Sequence, residues 1–320
     1  MSRTATYKPA LAWFAAIGSA WVFVLVALGA FTTTIGAGMA FPDWPLSNGS
    51  VNPHGWLTEI DKFAEHSHRL SGTVMGLITI ALAIWLHRVE SRGWLRRLGW
   101  WALGIVIFQG VLGGTRVMLD HIAVPGFDMS FGAMLRIPHG VLAQVYVCIL
   151  FAIAAGLSRA WVNDTLGRAG PRVRTLGWWC VVLLFIQLGV AVTMRHNHAG
   201  MAIGFFPHSQ PDGSLLPAHW DYRVGLQFTH RVMAAILGVA IFAYAHFLWR
   251  EKSLAAPLRA ASFLLIALIV GQVTLGAQII WTGRSIVTTT GHVVFGALTL
   301  AVTFLVVFLT RRDTVERTSP

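Results

Sequence analysis

The sequence predicts an all-α membrane protein whose eight transmembrane helices form two parallel four-helix bundles related by a pseudo-two-fold axis. Three observations predict this. Apolar residues make up 55% of the 320 and charged residues only 12%, with a mean hydropathy of +0.64, more apolar surface than a soluble chain of this length can hide. Eight nearly uncharged stretches are long enough to cross a bilayer, and each must be helical, because a lone strand in lipid leaves its backbone groups unpaired. Residue groups also recur at a nearly constant distance. Glu65-x-x-His68-Arg69 returns as Gln227-x-x-His230-Arg231, and Ala37-Gly38-Met39-Ala40 returns at the same offset as Ala199-Gly200-Met201-Ala202. Gln109 with Leu112-Gly113 returns as Gln272 with Leu275-Gly276, displaced by a single position from that offset.

The first stretch, 12–34, follows Arg3 and Lys8 in the manner of a leader peptide. It is read as a span because it is of crossing length and its exit, Gly36 to Met39, belongs to the repeat. The second, 66–87, opens on Glu65-His66-Ser67-His68-Arg69, and the third, 97–118, carries Gln109-Gly110. The fourth, 138–158, begins at Pro138, a residue suited to a first helical turn. The second set, 175–195, 226–249, 259–282 and 286–310, repeats the order. Residues 1–158 and 175–320 thus form two halves joined by a linker at 159–174, where Asn163, Asp164, Gly167, Gly170 and Pro171 mark irregular backbone.

The net charge of +11 points to membrane topology and not to nucleic acid. With both ends in the cytoplasm, that side holds 16 of the 24 Lys and Arg, and the other eight are spread over outer loops and helix mouths. Four helices per half bring the chain back to the side it entered from, so the repeats are parallel. Two long outer stretches, 35–64 and 196–223, are rich in Pro, Gly, Asn and Ser and long enough to act as lids.

His68, His139, His230 and His292 lie on the second, fourth, sixth and eighth helices, each within about two turns of the outer end. Matched depth in matched positions of a repeat points to ligation. Two imidazoles from facing helices clamp a haem iron, which pairs His68 with His139 and His230 with His292. Gly72, Gly76 and Gly140, and Gly291, Gly296 and Ala297, offer small surfaces beside these ligands. Arg69, Arg231 and Arg136 stand near the outer mouth, where arginines pair with propionates or reach to the interface. The halves differ at one telling position: Glu65 precedes its histidine by one turn where the other half has Gln227. A carboxylate takes up protons and an amide does not, which assigns chemistry to the first half. Cys148 and Cys180 fall inside apolar runs, the pattern of buried packing residues.

These motifs together, with Pro42-Asp43-Trp44-Pro45, Leu112-Gly113-Gly114-x-Arg116 and Gly271-Gln272-x-x-Leu275-Gly276, resemble the haem A synthase family over nearly the whole chain. The resemblance implies that His230 and His292 hold a resident haem b, that His68 and His139 bind the substrate haem O, and that a porphyrin methyl group is oxidised to a formyl by successive hydroxylations with Glu65 as the catalytic carboxylate. It implies the cell (inner) membrane as location, with haem sites toward the outer face, and haem O synthase, a terminal-oxidase assembly factor and an electron carrier as partners, and it leaves room for a homo-oligomer. Many members carry a cysteine pair in the outer loops. Here Phe41 precedes Pro42 and neither loop contains cysteine, so no thiol relay is expected.

Two other classes compete. A bis-histidine electron-transfer cytochrome would stack its haems across the bilayer, whereas all four ligands here lie near one face. A transporter would show broken helices with buried ionisable groups at mid-membrane, and beyond the histidines the sequence has none.

Overall fold

The computed structural model describes residues 6–126 and 129–318 of the chain; Arg3, one of the cations assigned above to the cytoplasmic side, lies outside them. Eight helices are long and apolar enough to span: α1 (Pro9–Thr34), α2 (Ile60–Val89), α3 (Gly93–Met118), α4 (Phe131–Leu157), α6 (Pro171–His196), α7 (Tyr222–Arg250), α8 (Ala256–Trp281) and α9 (Ile286–Leu309). Short helices α5 (Arg159–Val162) and α10 (Arg312–Thr318) lie at the end opposite the two long loops, and a 3-10 turn (Ala199–Met201) follows α6. The chain is a multi-pass membrane protein.

The helices of 24–30 residues measure about 36–45 Å at 1.5 Å per residue, so they outrun a hydrocarbon core of about 30 Å. Their ends therefore carry polar signals that hydropathy cannot register. Asp221 accepts the Val224 N–H at the start of α7, and Ser130 accepts the Ala133 N–H at the start of α4. Proline opens α1 and α6, where its missing N–H costs nothing. The cap at Ser130 starts α4 well before the expected first turn, and this corrects the reading of Pro138: it lies inside the helix. There its ring leaves the Met134 carbonyl without an intrahelical partner.

In the first half α1 packs on α2 and α4, α2 on α3 and α3 on α4; in the second, α6 packs on α7 and α9, α7 on α8 and α8 on α9. Between halves, α1 meets α9, α4 meets α6, and α4 meets α9. Exchanging α1–α4 with α6–α9 in order reproduces the same set of neighbours, which is compatible with a pseudo-two-fold axis beside α4 and α9. One apolar core runs through both halves, from Leu11, Leu82 and Leu150 to Ile241, Leu248 and Val306. Trp161, fully buried on α5, stacks on Phe308 at 4.8 Å and donates its indole N–H to Glu316 Oε1 at 2.6 Å. Arg312 Nε donates to the Trp161 carbonyl, and Arg174 bridges to Asp313 at 2.8 and 2.9 Å. The linker, α6 and α10 are thus pinned together.

Candidate functional site

His68, His139 and His230 each lie eight residues past the first residue of their helix, and His292 six. At 1.5 Å per residue that is about 12, 12, 12 and 9 Å along the axis, so the four imidazoles share one level toward the ends from which the long loops emerge.

In the second half the two rings face each other, with centroids 6.3 Å apart and planes inclined at 66°. Gln187 on α6 places Nε2 3.0 Å from His230 Nδ1 and 3.0 Å from the His230 carbonyl. His292 Nδ1 lies 3.1 Å from the Gln272 carbonyl, and the Gln272 amide lies 3.3 Å from His292 Nε2. In the first half His68 and His139 stand within electrostatic reach of each other. The Nδ1 atoms of both are buried without a hydrogen-bond partner among the described residues, and Gln109 donates to the His139 carbonyl at 2.9 Å.

Three glycines lie against these rings. A methyl group added at Gly29 would come within 2.8 Å of His68 Cε1, at Gly276 within 3.1 Å of His292 Cε1, and at Gly113 within 3.4 Å of His139 Cε1. They sit on the facing helices α1, α8 and α3. A methyl group added at Gly72 or Gly140 would meet Leu25 or Val192, one at Gly291 or Gly296 would meet Leu275 or Gln272, and one at Gly76 would meet nothing within 4 Å.

Glu65 is buried, with Oε1 2.7 Å from Arg69 Nη2 and Oε2 accepting the Phe41 N–H at 3.2 Å. Gln227 does the corresponding work in the second half: Oε1 accepts the Ile203 N–H and Nε2 donates to the Gly200 carbonyl at 2.8 Å. Phe41 and Ile203 are themselves equivalent positions of the repeat, at the offset that separates His68 from His230. Arg69 donates to the carbonyls of Asp43 (2.8 Å), Leu46 (2.6 Å) and Phe41 (3.2 Å). Arg231 donates to those of Ile203 (3.0 Å) and His208 (3.1 Å). Both guanidiniums therefore tie the long loops down over the helix mouths. Arg136 faces Asp120 at 3.4 Å, and Arg116 donates to the Gly38 carbonyl, filling the space Gly38 leaves. His66, buried beneath the first loop, bonds Ser47 Oγ through Nδ1 at 3.1 Å, and Trp56 packs edge-on against its ring.

Two imidazoles at this spacing can ligate one metal ion from opposite sides, since two bonds of about 2 Å and two ring half-widths of roughly 1 Å span about 6 Å. Sequence reasoning missed Gln187 and Gly29. The signal for Gln187 was present: it is a lone amide in an apolar run, and at the equivalent position of the first half stands Leu25.

The family model described as cytochrome oxidase assembly protein (COX15-CtaA) matches residues 56–304. The chain is 32% identical to the heme A synthase of Symbiobacterium thermophilum over 268 residues, 81% of this chain and 82% of that one. It is 26% identical to that of Alkalihalophilus pseudofirmus over 93% of this chain and 97% of the relative, and 25% identical to that of Halalkalibacterium halodurans over 94% and 98%. By this match over most of its length, the chain belongs to the haem A synthase family of cytochrome oxidase assembly proteins.

Proposed function

We propose that this chain is an oxidoreductase that converts haem O to haem A for terminal oxidases, oxidising one porphyrin methyl group to a formyl. The observation that carries the proposal is the pair His230 and His292, 6.3 Å apart in the second half, with His68 and His139 at the same depth in the first half lying against Gly29 and Gly113. His230 and His292 are assigned to a resident haem b, and His68 and His139 to the substrate haem O. Haem b bound between His230 and His292 supplies a one-electron redox centre.

The net change at the methyl carbon adds one oxygen, removes two hydrogens and withdraws four electrons, so protons must leave as it proceeds. Glu65 is the group assigned to take them. It lies one turn from His68, and its carboxylate is buried against Arg69. Gln227 at the equivalent place keeps the loop contact but cannot hold a proton, which fits a second half that only carries a cofactor. Arg69 and Arg231 serve cofactor binding by fixing the loop over each clamp. Residues 1–158 form the substrate half, 159–174 the linker and 175–320 the cofactor half. In this assignment both termini are cytoplasmic, the clamps face the outer side of the cell membrane, and haem O synthase, an assembly factor of the oxidase and an electron carrier are the partners.

Extraction of pigment from the purified protein, followed by mass analysis, tests the reaction. A mixture of haem b with haem O, haem A or a hydroxylated form is expected, and haem b alone would make the protein an electron carrier. His230→Ala is expected to abolish the low-spin haem b spectrum; an unchanged spectrum refutes the ligand assignment.

A further inference from the structure

The first clamp has a pair of arginines that the repeat does not copy. Arg116 follows Gly113 by three residues on α3, Arg136 precedes His139 by three on α4, and Gly113 lies against the His139 ring. Both residues therefore stand one helical turn, about 4.5 Å, from that contact toward the loop side. Their counterparts in the second half are neutral: Ile279 stands at the offset that relates Gln109 to Gln272, and Thr289 stands three residues before His292. Carboxylates do not balance the charge. Arg136 and Arg69 act electrostatically on Arg116 with one sign, and Glu65 and Asp120 with the other, so with Arg116 itself three cations meet two anions. Glu65 is already paired with Arg69 at 2.7 Å. Asp120 divides its Oδ1 between Arg136 at 3.4 Å and the Ser130 hydroxyl at 2.8 Å. Arg136 Nε is buried with no hydrogen-bond partner among the described residues. His196, at the end of α6, brings a ring of the other half to the group: Arg195, Arg136, Arg116 and His198 act on it, with no carboxylate among them.

We propose that Arg116 and Arg136, with His196 beside them, form a carboxylate-binding site for the propionate edge of the substrate porphyrin. The proposal rests on the assignment of haem O to His68 and His139. A buried guanidinium without its full set of acceptors is costly, and an incoming carboxylate supplies both the charge and the acceptors. Two axial imidazoles fix the plane of a porphyrin but leave it free to turn about the line between them. Holding the carboxylate edge at one side removes that freedom, so the same ring methyl is presented to Glu65 at each turnover. A resident cofactor that only passes electrons has no such requirement, which fits Ile279 and Thr289 in its half. A lipid phosphate fits less well, because the two arginines stand a single turn from a ligand ring.

The test titrates the full-length purified protein, holding its resident haem, with haem O and with haem O dimethyl ester, whose propionates are both capped, and reads binding by absorbance. Wild type is expected to bind the ester about 10–100-fold more weakly than the acid, the worth of a hydrogen bond to a charged group. Arg136→Leu and Arg116→Gln are each expected to weaken haem O binding by a similar factor and to leave binding of the ester as in wild type. An unchanged resident haem b spectrum shows that a variant is folded, and the wild-type comparison stays decisive where a variant is not. A purely structural role weakens acid and ester alike and overturns the proposal, as does a wild type that binds both equally. Loss of bound phosphatidylglycerol in Arg136→Leu with haem O affinity unmoved gives the arginines to a lipid headgroup and overturns it too. His139→Ala separates the site from the reading beneath it. If that variant binds haem O as tightly as wild type, the ligand assignment falls; if it loses haem O while both arginine variants keep wild-type affinity, only the carboxylate site falls.

Discussion

Glu65 and Gln227 perform one structural task with two chemistries, each accepting a backbone N–H from its loop at equivalent positions. Glu65→Gln should therefore keep the loop seated and the resident haem bound while stopping haem A formation. Full activity in that variant, measured by pigment analysis, would remove Glu65 from the mechanism. Gly29 makes a second prediction. A side chain there enters the space of the His68 ring, with the first added carbon 2.8 Å from Cε1, so Gly29→Val should cut the bound haem from two to one per chain and leave the resident spectrum intact. Asp43 makes a third, in the loop outside the spans. Burial pushes its pKa up, but hydrogen bonds from the Gly49, Asn48 and Asp43 N–H groups and the nearby Arg69 guanidinium outweigh this and hold it below the usual carboxylate range. A depressed pKa adds stability that is present above the unfolded value of about 3.9 and is lost as pH falls through the folded value. The melting temperature of Asp43→Asn should lie below that of wild type at neutral pH, and the gap should close as the solution is acidified below about pH 4.

At the scale of elements, α10 acts through few contacts of high quality. Trp161 is fully buried between Phe308 and Glu316, and its carbonyl takes the Arg312 Nε–H. Removing that indole leaves a cavity and takes a donor from Glu316, so Trp161→Ala should cost about 3–5 kcal/mol, measurable as a loss of thermal stability in detergent with the haem spectrum unchanged below the transition. Hydropathy located every span, because the bilayer demands an apolar run wherever a helix crosses it. It placed helix starts late, at 66 for α2 and 138 for α4 where the helices begin at Ile60 and Phe131. The missing turns are polar: Asp61 and Lys62 in one case, the Ser130 cap and Arg136 in the other.

Across the whole molecule, the halves meet through α1, α4, α6 and α9, and a polar bridge crosses near the level of the four histidines. Arg195 on α6 donates to Ala30 O and Thr34 Oγ1 of α1 at 2.8 and 2.9 Å, and Thr34 reaches Thr290 of α9, just before His292. The uneven distribution of Lys and Arg predicts that a reporter fused in the loop around Arg96 reports from the cytoplasm; an outside signal there would overturn the orientation.

The amino-acid sequence by itself determined the number of spans, the repeat and the four histidines, since these depend on local hydropathy and residue identity at fixed offsets. Only the tertiary structure decided which polar groups meet. That Arg69 and Arg231 bond loop carbonyls, that Gly29 and Gly113 lie against the rings, and that Gln187 reaches His230 are all matters of helix register. The partners in these contacts belong to different helices or to a helix and a loop, and their meeting is set by how whole helices pack, which no local pattern encodes.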